Sequence, residues 1–198
     1  MNIPFLNKSL VIAISAILCM GVSSVANAVS PIVMDGTTGV NPSGTPINPA
    51  PATPTIYTID GGGTGAPPNG PNGTVNGTNL FFSFSQFGIR TGDTAKFLCT
   101  GDCGAVGLGS GLIAPGSVTN VISRVTGGSS SDIYGTLTST IGTANFWFFN
   151  PAGVVFGAGA VVNVPAAFHI GTANSVNFGS HSFGLTTDPT DSSCNYSA

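Results

Sequence analysis

The residues able to do chemistry are few and scattered. All seven acids are Asp, and the sequence holds two His and four Cys. Glycoside hydrolysis needs two carboxylates about 5 to 9.5 Å apart. Asp93, Asp102, Asp132, Asp188 and Asp191 all stand in turn-like contexts, where Asp is an ordinary turn former. The closest pair, Asp188 and Asp191, falls in a C-terminal tail. His169 and His181 occur in strand or turn contexts and read as surface residues. Neither G-x-S-x-G nor H-E-x-x-H is present to supply a nucleophile or a metal site. Residues 61–66 formally fit a dinucleotide fingerprint, but Pro67 and Pro68 follow where a helix should begin. The expectation is a chain that is not an enzyme and holds no metal or organic cofactor.

Composition narrows the class. Charged residues are 6% of the 198, against about 25% in ordinary soluble domains. Solvated helix faces therefore lack the Glu, Lys and Arg they need, which excludes bundles and coiled coils. Four Lys and Arg cannot neutralise a run of phosphates, so nucleic acid is not an expected partner. With 41% hydrophobic residues and 13 Phe the chain is too apolar for global disorder. An abundance of Gly (29) and Pro (14) points to a β-rich chain with many turns.

Residues 1–28 read as a secretory signal peptide. Lys8 gives the positive start, residues 10–20 the apolar core, and Ala26 and Ala28 the small-x-small cleavage site. The apolar run is well short of the roughly 20 residues that span a bilayer, and no stable transmembrane segment is expected in the mature chain. In the oxidising setting that export implies, Cys99 and Cys103 favour a local disulfide over zinc, which needs four ligands. Cys194 is left over, free or paired between chains.

Two low-complexity stretches, 29–54 and 61–78, read mainly as loops, with short extended pieces at 30–34 and 55–59. Further strands are expected at 79–87, 94–98, 118–125, 133–137, 144–149, 153–164 and 167–178. Phe81, Phe97, Val121, Ile133, Phe146, Val155, Phe168 and Phe178 recur as apolar ribs within them. A sandwich would accommodate many short strands, and so would a solenoid. Nearly continuous apolar runs, small residues at 157–160 and Asn at turn edges favour the solenoid. At about 20 residues per coil, residues 79–187 would make roughly five turns.

Four ordered elements carry a resemblance. They are NLFFSFSQF at 79–87, NVISRVTGG at 120–128, DIYGTL at 132–137 and NFWFFNPAGVVFG at 145–157. Together they closely resemble the filamentous-haemagglutinin N-terminal family, the two-partner-secretion (TPS) domain of large bacterial exoproteins. The family's secretion elements map here onto Asn79, Leu80, Phe81, Ser83 and Phe84, then Ser123, Arg124, Val125, Gly127 and Gly128. They continue at Asn150, Pro151, Gly153, Val154, Phe156 and Gly157, with Ala152 where Asn is usual. The resemblance implies an all-β fold, a right-handed parallel β-helix with N-terminal capping strands, over residues 29–187, leaving 188–198 as a tail. It also implies recognition in the periplasm by the POTRA domains of a TpsB-type outer-membrane β-barrel transporter, and folding at the surface of a Gram-negative cell. Two features depart from the pattern: residues 99–116 look like an insertion between coils, and the sequence stops where family members usually run into long repeats. The alternatives are a small surface adhesin that binds glycans on host or neighbouring cells, or a truncated exoprotein fragment.

Overall fold

The computed structural model describes residues 30–47, 49–50, 55–62, 71–103, 113–178 and 181–184. Ala26, Ala28, Cys194 and the tail at 188–198 lie outside the described residues, as does 104–112 of the insertion. β-formers broken by Gly, Asn and Pro produce short strands. They are β1 (Ile32–Met34), β2 (Pro49–Ala50), β3 (Ile56–Asp60), β4 (Thr74–Asn76) and β5 (Asn79–Phe87). Then come β6 (Thr94–Leu98), β7 (Asn120–Val125), β8 (Ser131–Ile133), β9 (Thr136–Ser139) and β10 (Asn145–Phe149). The series ends with β11 (Val154–Phe156), β12 (Val161–Asn163), β13 (Phe168–Gly171), β14 (Ser175–Phe178) and β15 (His181–Gly184).

Three faces of parallel strands make a β-helix. β5, β7, β10 and β13 stack on the first face, and β3, β6, β9 and β12 on the second. β8 and β11 form the third, continued one level back by the bridge between Ile89 and Ile133. Antiparallel strands close the N-terminal end: β1 and β4 flank β5, and β2 flanks β3. Residues that stack on one another on the first face are 41 apart at the first step, which contains the insertion, then 25 and then 22. Coils are therefore longer than the expected 20 residues, and four parallel strands stand on that face where roughly five turns were expected.

Inward positions build the core in columns. Leu80, Val121, Phe146 and Phe168 lie one above another, as do Phe82, Ser123, Phe148 and Ile170. Phenylalanine rings fill the lumen, with centroids 4.8 Å apart for Phe97 and Phe146 and 4.9 Å for Phe87 and Phe148. Burying each such side chain contributes about 1.5–3 kcal/mol. Tight corners come where small residues allow them.

Several expected elements differ. The run 133–137 is broken at Tyr134 and Gly135, where the chain turns from the third face to the second. The run 153–164 is likewise split into β11 and β12 by a turn at 157–160. The stretch 61–78 is not all loop, because β4 pairs with β5. In the run 167–178 only β13 belongs to the stack. β14 pairs antiparallel with β15, and Phe183 of that hairpin seats against Phe81 on the outside of the first face. Phe178 is thus on the hairpin and Phe81 faces outward under it, so neither is a rib of the core. Val155 also faces out, in register with the exposed Asp132. Strand-forming composition alone does not say at which residue the chain must turn a corner.

Ser123 is the chemical exception among the inward columns. Its hydroxyl is buried between Phe82 and Phe148 with no hydrogen-bond partner among the described residues. An unsatisfied buried hydroxyl costs about 1–3 kcal/mol. Ser123→Ala is therefore expected to raise stability by about 1 kcal/mol, read as a higher urea midpoint at unchanged slope.

Candidate functional site: the motif residues and a buried arginine

The motif around 79–87 and 120–128 meets on the outer side of the first face. Ser83 stacks beside Arg124 in the β5–β7 ladder. Arg124 is only 3% exposed, and a buried guanidinium must find acceptors for its donors. Its Nε donates to Ser83 Oγ at 2.6 Å and its Nη2 to Thr37 Oγ1 at 2.9 Å. Its Nη1 donates to the Gly184 carbonyl on β15. The guanidinium carbon stands 4.1 Å from the centre of the Phe183 ring, a cation–π arrangement.

The compensating charge is one hydroxyl away. Asp35 accepts from Ser83 Oγ at 2.5 Å, from Thr37 Oγ1 at 2.7 Å, from Thr126 Oγ1 at 3.0 Å and from the Thr37 amide at 2.9 Å. Hydroxyls of Ser83 and Thr37 thus relay between carboxylate and guanidinium. Four segments far apart in sequence converge here: the N-terminal cap, the first two coils and the closing hairpin. Sequence reasoning identified Ser83 and Arg124 but missed Asp35, Thr37, Thr126 and Phe183. Asp35 is the first acid of the chain, and its place directly after an apolar strand was the one available signal.

The second motif is a corner. Asn150 is fully buried, at the end of β10. Its Oδ1 accepts from the Ala152 amide at 2.9 Å, and its carbonyl accepts from the Gly153 amide at 2.9 Å, closing the turn. Its Nδ2 reaches back to the previous coil, donating to the Ser129 carbonyl at 3.0 Å and to Ser131 Oγ at 2.9 Å. Only the side chain's amide can satisfy both directions at once, which is why Asn stands at this corner. Pro151 presets the turn, and Gly153 takes a φ of 111° that L residues avoid. Val154 packs partly on the core, and Phe156 is 41% exposed beside Phe168.

The remaining motif residues stand in plain structural places. Asn79 begins an amide ladder: Asn120 Nδ2 donates to Asn79 Oδ1 at 2.9 Å, and Asn145 Nδ2 to Asn120 Oδ1 at 3.4 Å. Leu80, Phe84 and Val125 are core, and Phe81 is buried under Phe183. A Cβ on Gly127 would overlap the Ser85 carbonyl oxygen, and one on Gly157 would overlap the Tyr134 ring. Gly128 has open space around it. The structure therefore explains Gly127 and Gly157 and offers no reason for Gly128. Cys99 and Cys103 are disulfide-bonded with Cα atoms 5.4 Å apart, and Cys103 is fully buried against the core. Among the described residues no cluster of His, Cys, Asp or Glu could hold a metal ion.

A family model described as the TPS secretion domain matches residues 40–193. The chain belongs to that family. No curated protein and no solved structure gives a significant match. Membership makes this TPS domain part of a two-partner-secretion exoprotein, with a TpsB transporter as the implied partner and the Gram-negative outer membrane as the route of secretion. Among the described residues no helix is long and apolar enough to cross a membrane.

Two predictions separate position from composition in the TPS motifs. Arg124→Met is expected to cost about 2–4 kcal/mol in denaturant unfolding, since hydrogen bonds to a charged group are worth about 1.5–3 kcal/mol each and do not simply add. Arg124→Lys recovers part of this, because one ammonium cannot reach the three acceptors that a planar fork spans. For the adjacent glycines, Gly127→Ala should cost about 1–3 kcal/mol by overpacking against the Ser85 backbone. Gly128→Ala should stay within about 0.5 kcal/mol.

Proposed function

We propose that this TPS domain is a secretion signal that is read while unfolded, by the POTRA domains of its transporter, and that it completes its β-helix at the cell surface. The observation that supports this reading is where the family's signature residues lie once folded. Asn79, Phe81, Ser83, Phe84, Arg124, Val125 and Asn150 are all buried. Their polar groups are taken up by the amide ladder, the Asp35 relay and the corner at Asn150. A receptor that reads these side chains must meet them before they are enclosed.

The physics of the fold suits such a sequence of events. Stacked strands pair residues 22 to 42 apart, and the arginine site joins residues 87 and 60 apart. Contacts of such separation form slowly, which leaves an exported chain time to reach the transporter open. Coils then add one at a time, each covering the apolar face of the last, so that folding outside biases movement outward without a nucleotide. An extended segment can meet a POTRA domain by adding a strand to an exposed sheet edge. In this reading the domain acts by being bound and folded, not by catalysis.

The decisive experiment uses immobilised POTRA domains of the cognate transporter. Chain freshly diluted from denaturant should be captured, and chain already folded, as judged by protease resistance, should not. Equal capture of the folded chain would overturn the reading.

A further inference from the structure

The disulfide stands where a closed stack is least able to make or break it. Cys99 directly follows β6, and Cys103 is at the neck of the insertion. The Cys103 amide donates to the Ile113 carbonyl and the Ile113 amide to the Cys103 carbonyl, so the chain leaves and returns across this one residue pair. A second bridge joins Cys103 to Gly62, just beyond the end of β3. Asp60 Oδ1 accepts from the Thr100 amide at 2.8 Å and from the Gly62 amide at 2.9 Å, which fixes the loop between the cysteines onto the same corner. On later coils the second face hands over to the first within residues 140–144 and 164–167. Here the crossover takes residues 99–119, and the bond ties its start to the stack.

The two sulfurs differ in access. Cys103 is 0% exposed within the main core, whereas Cys99 is only half-buried. A Cβ at Gly61 would meet Leu80, Phe82 and Cys99 Sγ, so side chains of the lumen converge on the bond. Thiol–disulfide exchange proceeds by attack of a thiolate on one sulfur, which expels the other as a thiolate. In the closed stack an outside thiol reaches Cys99 Sγ first, and the group it must expel is the Cys103 thiolate. Burial among apolar side chains disfavours that thiolate. The last step of bond formation is the same event reversed, with the Cys103 thiolate attacking a mixed disulfide on Cys99. Closure of the stack therefore obstructs both directions.

We infer that Cys99 and Cys103 are oxidised on the open chain, by a disulfide-bearing thiol oxidant met after export from the cytoplasm, before the transporter and before coil closure. The step balances: the two thiols give two electrons and two protons to the oxidant's disulfide, which becomes two thiols. The oxidising compartment comes first on the route, ahead of the outer membrane. The order relative to the transporter rests on the function proposed above, in which the chain is read before it folds. A bond confined to residues 99–103 leaves the strand segments 94–98 and 120–125 extended, so the oxidised chain is still an open one.

Thiol chemistry on the purified chain from Val29 onward tests this. Cleavage after Lys96 and Arg124 releases peptide 97–124, which carries Cys99 and Cys103, while Cys194 falls in 125–198. Alkylation and mass measurement of these peptides read the bond directly. In dithiothreitol the folded oxidised chain should lose this bond on the order of a hundredfold more slowly than the same chain in urea. In glutathione disulfide, chain reduced and then folded should form it more slowly, by a similar factor, than chain freshly diluted from denaturant. A reduced chain that fails to fold at all supports the same order. Equal rates in folded and open chain, or a bond from Cys194 to either partner, would overturn the inference. On immobilised POTRA domains the oxidised open chain should be captured as well as the reduced one, and capture of the reduced chain alone would overturn the order. Capture of neither form counts against the function proposed above, and the thiol rates then decide whether oxidation precedes closure.

Discussion

In a parallel coil, each residue stands on its counterpart from the coil before, so every column must be chemically continuous along the stack. This constraint governs most of the structure. The column of Asn79, Asn120 and Asn145 is continuous because each amide donates to the one below and accepts from the one above. The columns that begin at Leu80 and Phe82 are continuous because rings and branched chains cover one another. The column of Ser83, Arg124 and Phe149 is the difficult one, since a charged group stands within it. Its solution draws in residues from outside the stack: Asp35 and Thr37 from the cap, Gly184 and Phe183 from the hairpin.

That solution couples the two ends of the sequence. A buried guanidinium is costly unless every donor is met. Here the first coil supplies one acceptor, the N-terminal cap a second and the hairpin a third. None of these is near another in sequence, so the three acceptors meet the arginine together only when cap, coils and hairpin are all in place. Residues far from the stack thus share in its stability, and a lesion at Asp35 or Phe183 acts on the same site as one at Arg124.

Much of this was legible in the sequence, and the limits were physical. The strands at 79–87, 94–98 and 144–149 could be read because apolar runs and turn residues mark them plainly. The Asn ladder was foreshadowed by Asn at turn edges. The small residues at 157–160 marked a tight corner inside an apolar run, and the chain does turn there. The corner at Tyr134 was not legible, because β propensity reports fitness for a pleated surface and not where that surface bends. The outward position of Phe81 was hidden for a related reason. β5 is buried on both sides, inward by the core and outward by the hairpin, so residues 79–84 are buried without a break and the apolar run 80–82 does not show which side is the lumen. Asp35 could not have been assigned to Arg124, since pairing across 89 positions is set by the register of the coils and leaves no local trace.

The same constraint accounts for why the motif is a motif. Had Asn150 served only its own turn, Asp or Ser could replace it, since either can accept from the Ala152 amide. It is the second task, donating to Ser129 and Ser131 of the coil before, that demands an amide. Gly157 likewise is small because of Tyr134, which stands one coil earlier, and Gly127 because of Ser85. Each of these residues answers to a neighbour 19 to 42 positions away. A signature written in such residues therefore specifies how consecutive coils dock.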